Sequence, residues 1–190
     1  MRRAVLTVAI VLMATLMQGC DMGSDSGTDG TSTEGSDTCE DQSYDLTTPP
    51  TRDDLGMPEG ESTMDVSCDG GFEVALTLPE DASTSFTVQR VNADSYGADD
   101  STTGDPTTMD FHSVALDPDQ AVQVANGMCS DLGIESEPLR RWKLDIKTNP
   151  NDSVDSPFVR TKLGYLTAEL QLQYLPASGN SYLHLVLTWA

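Results

Sequence analysis

Two histidines, His112 and His184, are the residues best suited to move a proton near neutral pH. Beside a carboxylate, either one can serve a hydrolase as general acid or base. Each lies in a strand-like segment. His184 has the opposite parity to Leu183, Leu185 and Leu187, which is where an ordinary sheet-surface histidine sits. No Gly-x-Ser-x-Gly elbow accompanies them: Gly23-Ser24-Asp25-Ser26-Gly27 carries Asp where that motif requires Ser. No phosphate-cradling glycine loop occurs either. Asp99, Ser101, Thr103, Gly104 and Asp110 fall at the spacings of a calcium loop. Thr103 is a poor ligand there, Pro106 stiffens the second half and neither flank reads as a helix. The stretch is expected to be a solvated loop, and no metal site or cofactor is expected.

Charge narrows the partners. The chain carries 31 Asp+Glu against 10 Lys+Arg, a formal charge of −21. Such a chain repels phosphates, so nucleic acid is excluded as a partner. The cations cluster late, at Arg140, Arg141, Lys143, Lys147, Arg160 and Lys162. Arg140, Arg141, Lys143 and Lys147 form either a solvated basic strand face or a patch for an anionic ligand, the chain's own acidic segment included.

The elements that must position these groups read as follows. Met64, Val66 and Cys68, then Phe72, Val74, Leu76 and Leu78, alternate as strand residues. Asp69-Gly70-Gly71 between them fits a hairpin loop or a kink in one long strand. Residues 85–91 and 110–116 are further strands, separated by a long acidic loop over 92–109. Asp117-Pro118-Asp119-Gln120 starts a helix: Asp as N-cap, Pro at the first helical position and Gln closing the capping box. Ala121, Val122, Ala125, Met128, Cys129 and Leu132 form its apolar stripe and Gly133 ends it, giving a helix over 118–132. Trp142, Leu144 and Ile146 alternate with charged residues and are read as a strand. The phase flip beside Gly164 is read as a bulge or bend, 176–180 as a hairpin loop, and Leu183 to Trp189 as a last strand tied into the sheet. The expected fold is α+β: an antiparallel meander with the amphipathic helix 118–132 packed on it.

The N-terminus is of another kind. Met1-Arg2-Arg3 precedes thirteen uncharged residues, Ala4 to Leu16, whose helix would rise only about 20 Å. That is short for a membrane span and right for a secretory signal. Met17-Gln18-Gly19-Cys20 then resembles the lipobox of bacterial lipoproteins. The resemblance implies diacylglyceryl transfer to the Cys20 thiol and cleavage between Gly19 and Cys20, and it opens the new terminus to acylation. Several acyl chains on one cysteine hold a protein stably to a membrane. Residues 1–19 are thus a signal peptide, and 20–63 a lipidated cysteine with a disordered acidic tether, within which 44–63 carry anchors such as Tyr44 and Leu46 that can lie against the domain without regular structure. Over 21–63 such a tether has a mean reach of about 35 Å. Residues 64–190 are then the single globular domain.

With Cys20 acylated, Cys39, Cys68 and Cys129 remain in an oxidising compartment. Cys68–Cys129 is the first expected bridge, joining the oily faces of strand and helix; Cys39 with either of the others is the alternative. The expected function is that of a non-catalytic lipoprotein on the extracytoplasmic side of the cell membrane. It would bind a protein or small-molecule ligand, or support an envelope assembly. The alternatives are an envelope hydrolase using His112 or His184, and a calcium-dependent adhesive module.

Overall fold

Alternation of apolar and polar residues over 63–77, 83–94, 108–113, 166–175 and 180–189 builds five strands whose inward faces are almost wholly buried. The computed structural model describes residues 39–95 and 104–189. In chain order the strands are β1 (Gln42–Asp45), β2 (Thr63–Thr77), β3 (Ser83–Asp94), β4 (Thr108–Ser113), β5 (Val154–Asp155), β6 (Val159–Leu163), β7 (Leu166–Leu175) and β8 (Asn180–Trp189). Two helices, α1 (Pro118–Leu132) and α2 (Glu137–Thr148), stand between β4 and β5. One sheet holds all eight strands in the order β1-β2-β3-β4-β8-β7, with β5 and β6 both paired to the outer edge of β7. β1 runs parallel to β2 and every other pair is antiparallel.

The meander is therefore interrupted. The chain leaves the sheet after β4, forms the two helices, and returns at the far edge. The last strand then closes the middle, between β4 and β7. The C-terminal strand is thus bonded on both sides. β6 and β7 are joined by a two-residue hairpin, Leu163 facing Leu166, with Gly164 at φ 58 as its first turn residue. The phase flip beside Gly164 is that turn, and no bulge occurs there.

β2 is one continuous strand, so the hairpin reading of Asp69-Gly70-Gly71 gives way to the kinked one. Its register with β3 shifts between Ser67 and Phe72. Gly71, at φ 74, lies where a Cβ would come within 2.4 Å of the Val114 side chain, so only glycine fits.

Helix α1 forms over the expected residues. The Asp117 carboxylate accepts from the Asp119 and Gln120 amides, both at 2.8 Å, and Gln120 Oε1 accepts from the Asp117 amide. Gly133, at φ 66, ends the helix in the left-handed conformation.

The second helix corrects the sequence reading, which took 142–147 as a strand. Leu139, Trp142 and Ile146 recur at helical spacing as well as Trp142, Leu144 and Ile146 alternating. Pro138 at the helix start and the Leu, Arg, Lys and Glu around it favour the helix. The outcome shows in Leu144, which is 64% exposed while Trp142 and Ile146 are buried. Trp142 Nε1–H donates to the Val154 carbonyl at 2.7 Å and pins α2 to β5.

Both helices cover one face of the sheet. The core between them joins Val91, Phe111, Leu185 and Leu170 to Ala125, Met128, Leu139 and Trp142. The packed unit also begins earlier than Met64. Leu46, Leu55 and Met57 are buried, Tyr44 packs edge-on to Phe111, and the Tyr165 hydroxyl donates to the Leu46 carbonyl. All the described residues belong to one compact unit. Residues 39–63 thus belong to the domain and shorten the expected tether. The stretch 64–190 lacks β1 and these anchors.

Cysteine pairing is the second correction. Cys39 is bonded to Cys68, with Cα atoms 6.1 Å apart, and Cys129 is a buried free thiol. The expected Cys68–Cys129 staple fails because Cys68 reaches the chain that runs into β1, while Cys129 turns into the core under α1. Burial pushes the Cys129 thiol up to about 11, so at neutral pH it stays protonated and inert.

A histidine pair on the polar face of the sheet

The face opposite the core follows from strand parity. Because β3, β4, β8 and β7 are in register, their outward residues form rows across the sheet. One row reads Arg90, His112, His184, Gln171; the next reads Asn92, Asp110, Val186, Glu169. The two histidines, 72 positions apart in sequence order, are direct cross-strand partners. Their rings stack with centroids 4.3 Å apart and planes 13° from parallel. His184 Nε2 lies 2.9 Å from Asp110 Oδ1, and Phe158 meets the same ring edge-on. Asp110 and His184 are both about three-quarters buried.

The charged neighbours complete the site. Arg90 makes a two-pronged pair with Asp65 on β2, Nε to Oδ1 at 3.0 Å and Nη2 to Oδ2 at 2.7 Å. Its Nε also donates to Asn92 Oδ1. Burial, followed by the nearby Asp110 charge, raises the Asp94 carboxyl. Burial lowers the His112 imidazole, the His184 charge lowers it further, and Arg90 adds to this. Asp110 and Asp65 pull the other way. His112 is therefore neutral at pH 7, stacked on a histidine whose proton position Asp110 sets.

This arrangement orients an imidazole through a carboxylate, which is half of a nucleophile-activating constellation. In the register the imidazoles are flanked by Arg90 and Gln171, and His184 has Asp110 as its hydrogen-bond partner among the described residues. No group of three or more metal-ligating side chains gathers among the described residues.

The other candidates lie elsewhere. Arg140, Arg141, Lys143 and Lys147 are on α2, not on a strand. Lys143 is paired with Asp119, and Arg141 with Glu137 at 3.3 Å. The concavity beside them, about 430 Å³, takes only Arg141 of the four and adds Glu135, Glu137 and Asp145. Gly19, Cys20 and the calcium-loop positions 99–103 lie outside the described residues. Within that loop reading, Asp110 is engaged with His184.

Sequence parity places His184 outward, whereas His112 shares its parity with Val114 and Leu116; their pairing needs β8 to return beside β4, and no local pattern encodes that crossover. No helix of the described residues is long and apolar enough to cross a membrane. Compared with known proteins, the chain matches no protein-family model, no curated protein and no solved structure.

Proposed function

We propose that the protein is a lipoprotein held to the cell membrane through acylated Cys20, with a non-catalytic binding or assembly domain on the extracytoplasmic side. The observation that carries this reading is the Cys39–Cys68 disulfide, which ties the start of the domain to β2. Disulfides of this kind persist in oxidising compartments and are rare in a reducing cytosol. That agrees with the lipobox-like Met17-Gln18-Gly19-Cys20 ahead of it. With a net charge of −21, the anchor is lipid and not attraction to an anionic leaflet. Metabolic labelling with a clickable fatty acid tests it. The wild-type chain takes the label and Cys20→Ala does not; equal labelling of both refutes the anchor.

A second reading, an envelope hydrolase, is favoured by one observation, the 2.9 Å contact of His184 with Asp110. In this reading the dyad activates water as a general base. Chromogenic ester, phosphate and glycoside substrates test this. Turnover lost in His184→Ala supports it, and turnover equal to that variant removes it.

A further inference from the structure

The sheet contains an opening in its interior. β3 pairs with β2 down to Ser83, but on its other side the pairing with β4 begins only at Val88, opposite Ser113. Beyond Ser113 the chain follows β8 instead. Leu116 and Ser181 exchange backbone hydrogen bonds at 2.9 and 2.7 Å. The chain then enters α1. Among the described residues no strand pairs with the β3 edge over Ser83–Thr87, and alternate backbone amides and carbonyls of an antiparallel strand point to that side.

A cavity of about 390 Å³ occupies this opening. Its β3 wall is Ser85, Phe86 and Thr87, and its far wall includes Leu116, Val124 and Met128. Gly127 on α1 lines it as well. A Cβ there would meet nothing within 4 Å, so the glycine leaves the space open. Glycine inside a helix costs about 1 kcal/mol against alanine. It stands in a helix that otherwise has a capping box, a proline start and a glycine stop. Departures from local rules in an otherwise consistent element mark functional positions. The charged residues of the wall, Glu73 and Asp131, are both acidic. Thr84 Oγ1–H donates to one oxygen of Asp131 at 3.0 Å.

We propose that this opening is a binding site for an extended peptide segment with alternating basic and apolar side chains. The segment adds as a strand along Ser83–Thr87. Five residues of strand span about 17 Å and offer the main-chain hydrogen bonds that the edge lacks. Apolar side chains of the segment enter the cavity against Phe86, Val124 and Met128. Lysine or arginine side chains take the opposite face, where Glu73 lies, while Asp131 adds to the acidic field at the helix side and the charge of −21 steers such a segment toward the domain. The terminal strands β1 and β5 offer less, with four and two residues. The inference deepens the binding reading above and rests on it. It is independent of the Cys20 anchor, whose failure would show in the fatty-acid label alone.

The test uses the full chain in a non-ionic detergent and the fluorescent peptide acetyl-Lys-Val-Lys-Val-Lys-Val-amide, read by anisotropy. Two companion peptides are the Glu-Val analogue and the Lys-Val peptide N-methylated at alternate amides, which keeps the charge but cannot pair as a strand. The Lys-Val peptide binds, and each companion binds at least about tenfold more weakly. Gly127→Leu, which fills the opening from an exposed helix position, causes a comparable loss. Glu73→Gln with Asp131→Asn weakens binding about fivefold and reduces its salt dependence. Equal binding of the N-methylated peptide would show attraction to the acidic surface without strand addition and overturn the proposal. Unchanged binding in Gly127→Leu would overturn it too. So would a concentration-dependent dimer, abolished by Gly127→Leu, in a chain that takes no peptide, because the occupant would then be a second copy.

Discussion

Replacing both Cys39 and Cys68 with serine removes a covalent tie while leaving the native contacts around it in place. β1 keeps its four-residue ladder with β2, the Asp41 carboxylate still accepts from the Glu73 amide at 2.9 Å, and Leu46 stays buried. The loss therefore falls on the unfolded chain, which regains the freedom of a loop with a sequence separation of 29. Loop-closure entropy for that length is about 12 cal/mol/K, or about 3.6 kcal/mol at room temperature. For a domain of this size that lowers the melting temperature by about 7–14 °C. In urea, with a slope of about 2 kcal/mol/M, the midpoint falls by about 1.8 M. Unfolding of the double-serine variant, the oxidised wild type and Cys129→Ala measures it. The alanine variant keeps the bridge and shows no such loss of loop entropy. An unchanged midpoint in the double-serine variant would refute the entropic reasoning. A native chain whose Cys129 resists alkylation after unfolding without reductant would refute the pairing itself.

Contacts at His112, in α2 and at Gly71 each carry an expected outcome. His112 is held below its ordinary value of 6.5, so the unfolded chain binds the proton more readily. Stability from this residue is complete above about pH 6.5 and falls as the pH drops from there toward the folded value. His112→Gln flattens that slope in urea midpoints between pH 5 and 8. Asp110→Asn removes a charge that pulls His112 upward, and an NMR titration then finds His112 lower still. In α2, Trp142→Phe leaves the Val154 carbonyl without its donor and costs about 1–3 kcal/mol in a thermal melt. Leu144→Gln in the exposed position changes stability by no more than about 0.5 kcal/mol, where a strand reading makes it as costly as Trp142. Gly71→Ala forces a left-handed alanine against the Val114 side chain and the Val88 carbonyl, and costs about 1–3 kcal/mol or more. Adding Val114→Ala restores part of that by clearing the side-chain clash, while the backbone strain stays.

Much of the secondary structure is legible in the residues, because strands and α1 carry one period each. The Asp117 capping box and Gly133 mark both ends of α1 in plain sequence, and local chemistry decides them. α2 fails for the opposite reason. Trp142 and Ile146 satisfy both a period of two and a helical repeat, and only burial of Leu139 and exposure of Leu144 separate the two. Tyr44 and Leu46 are legible as anchors, but Leu55 and Met57 are missed because they are isolated among prolines, glycines and acids, and their value lies in the surface they cover. The histidine site is half legible. Parity turns His184 outward, while His112 shares its phase with Val114 and Leu116, and their stacking depends on β8 settling between β4 and β7. Nothing within either segment states that pairing.

The same contacts change what an anchor at Cys20 would do to the domain. Were the domain to begin at Met64, as the composition alone implies, pull from the membrane would arrive at the start of β2 through a tether of more than forty residues. With Cys39 bonded to Cys68, the stretch between such an anchor and the domain would be residues 21–38. Whatever path it takes, that stretch spans at most about 65 Å. Pull then passes through the disulfide into β2 near its kink, bypassing the four parallel pairs that β1 makes. β2 is the right strand to receive it, because it pairs with β3 at both ends, from Thr63 opposite Asp94 to Thr77 opposite Ser83. The opening at Ser83–Thr87 lies on the other side of β3 from that load. A segment added there meets a strand braced by β2, so binding at the edge and tethering through Cys39 do not compete for the same hydrogen bonds.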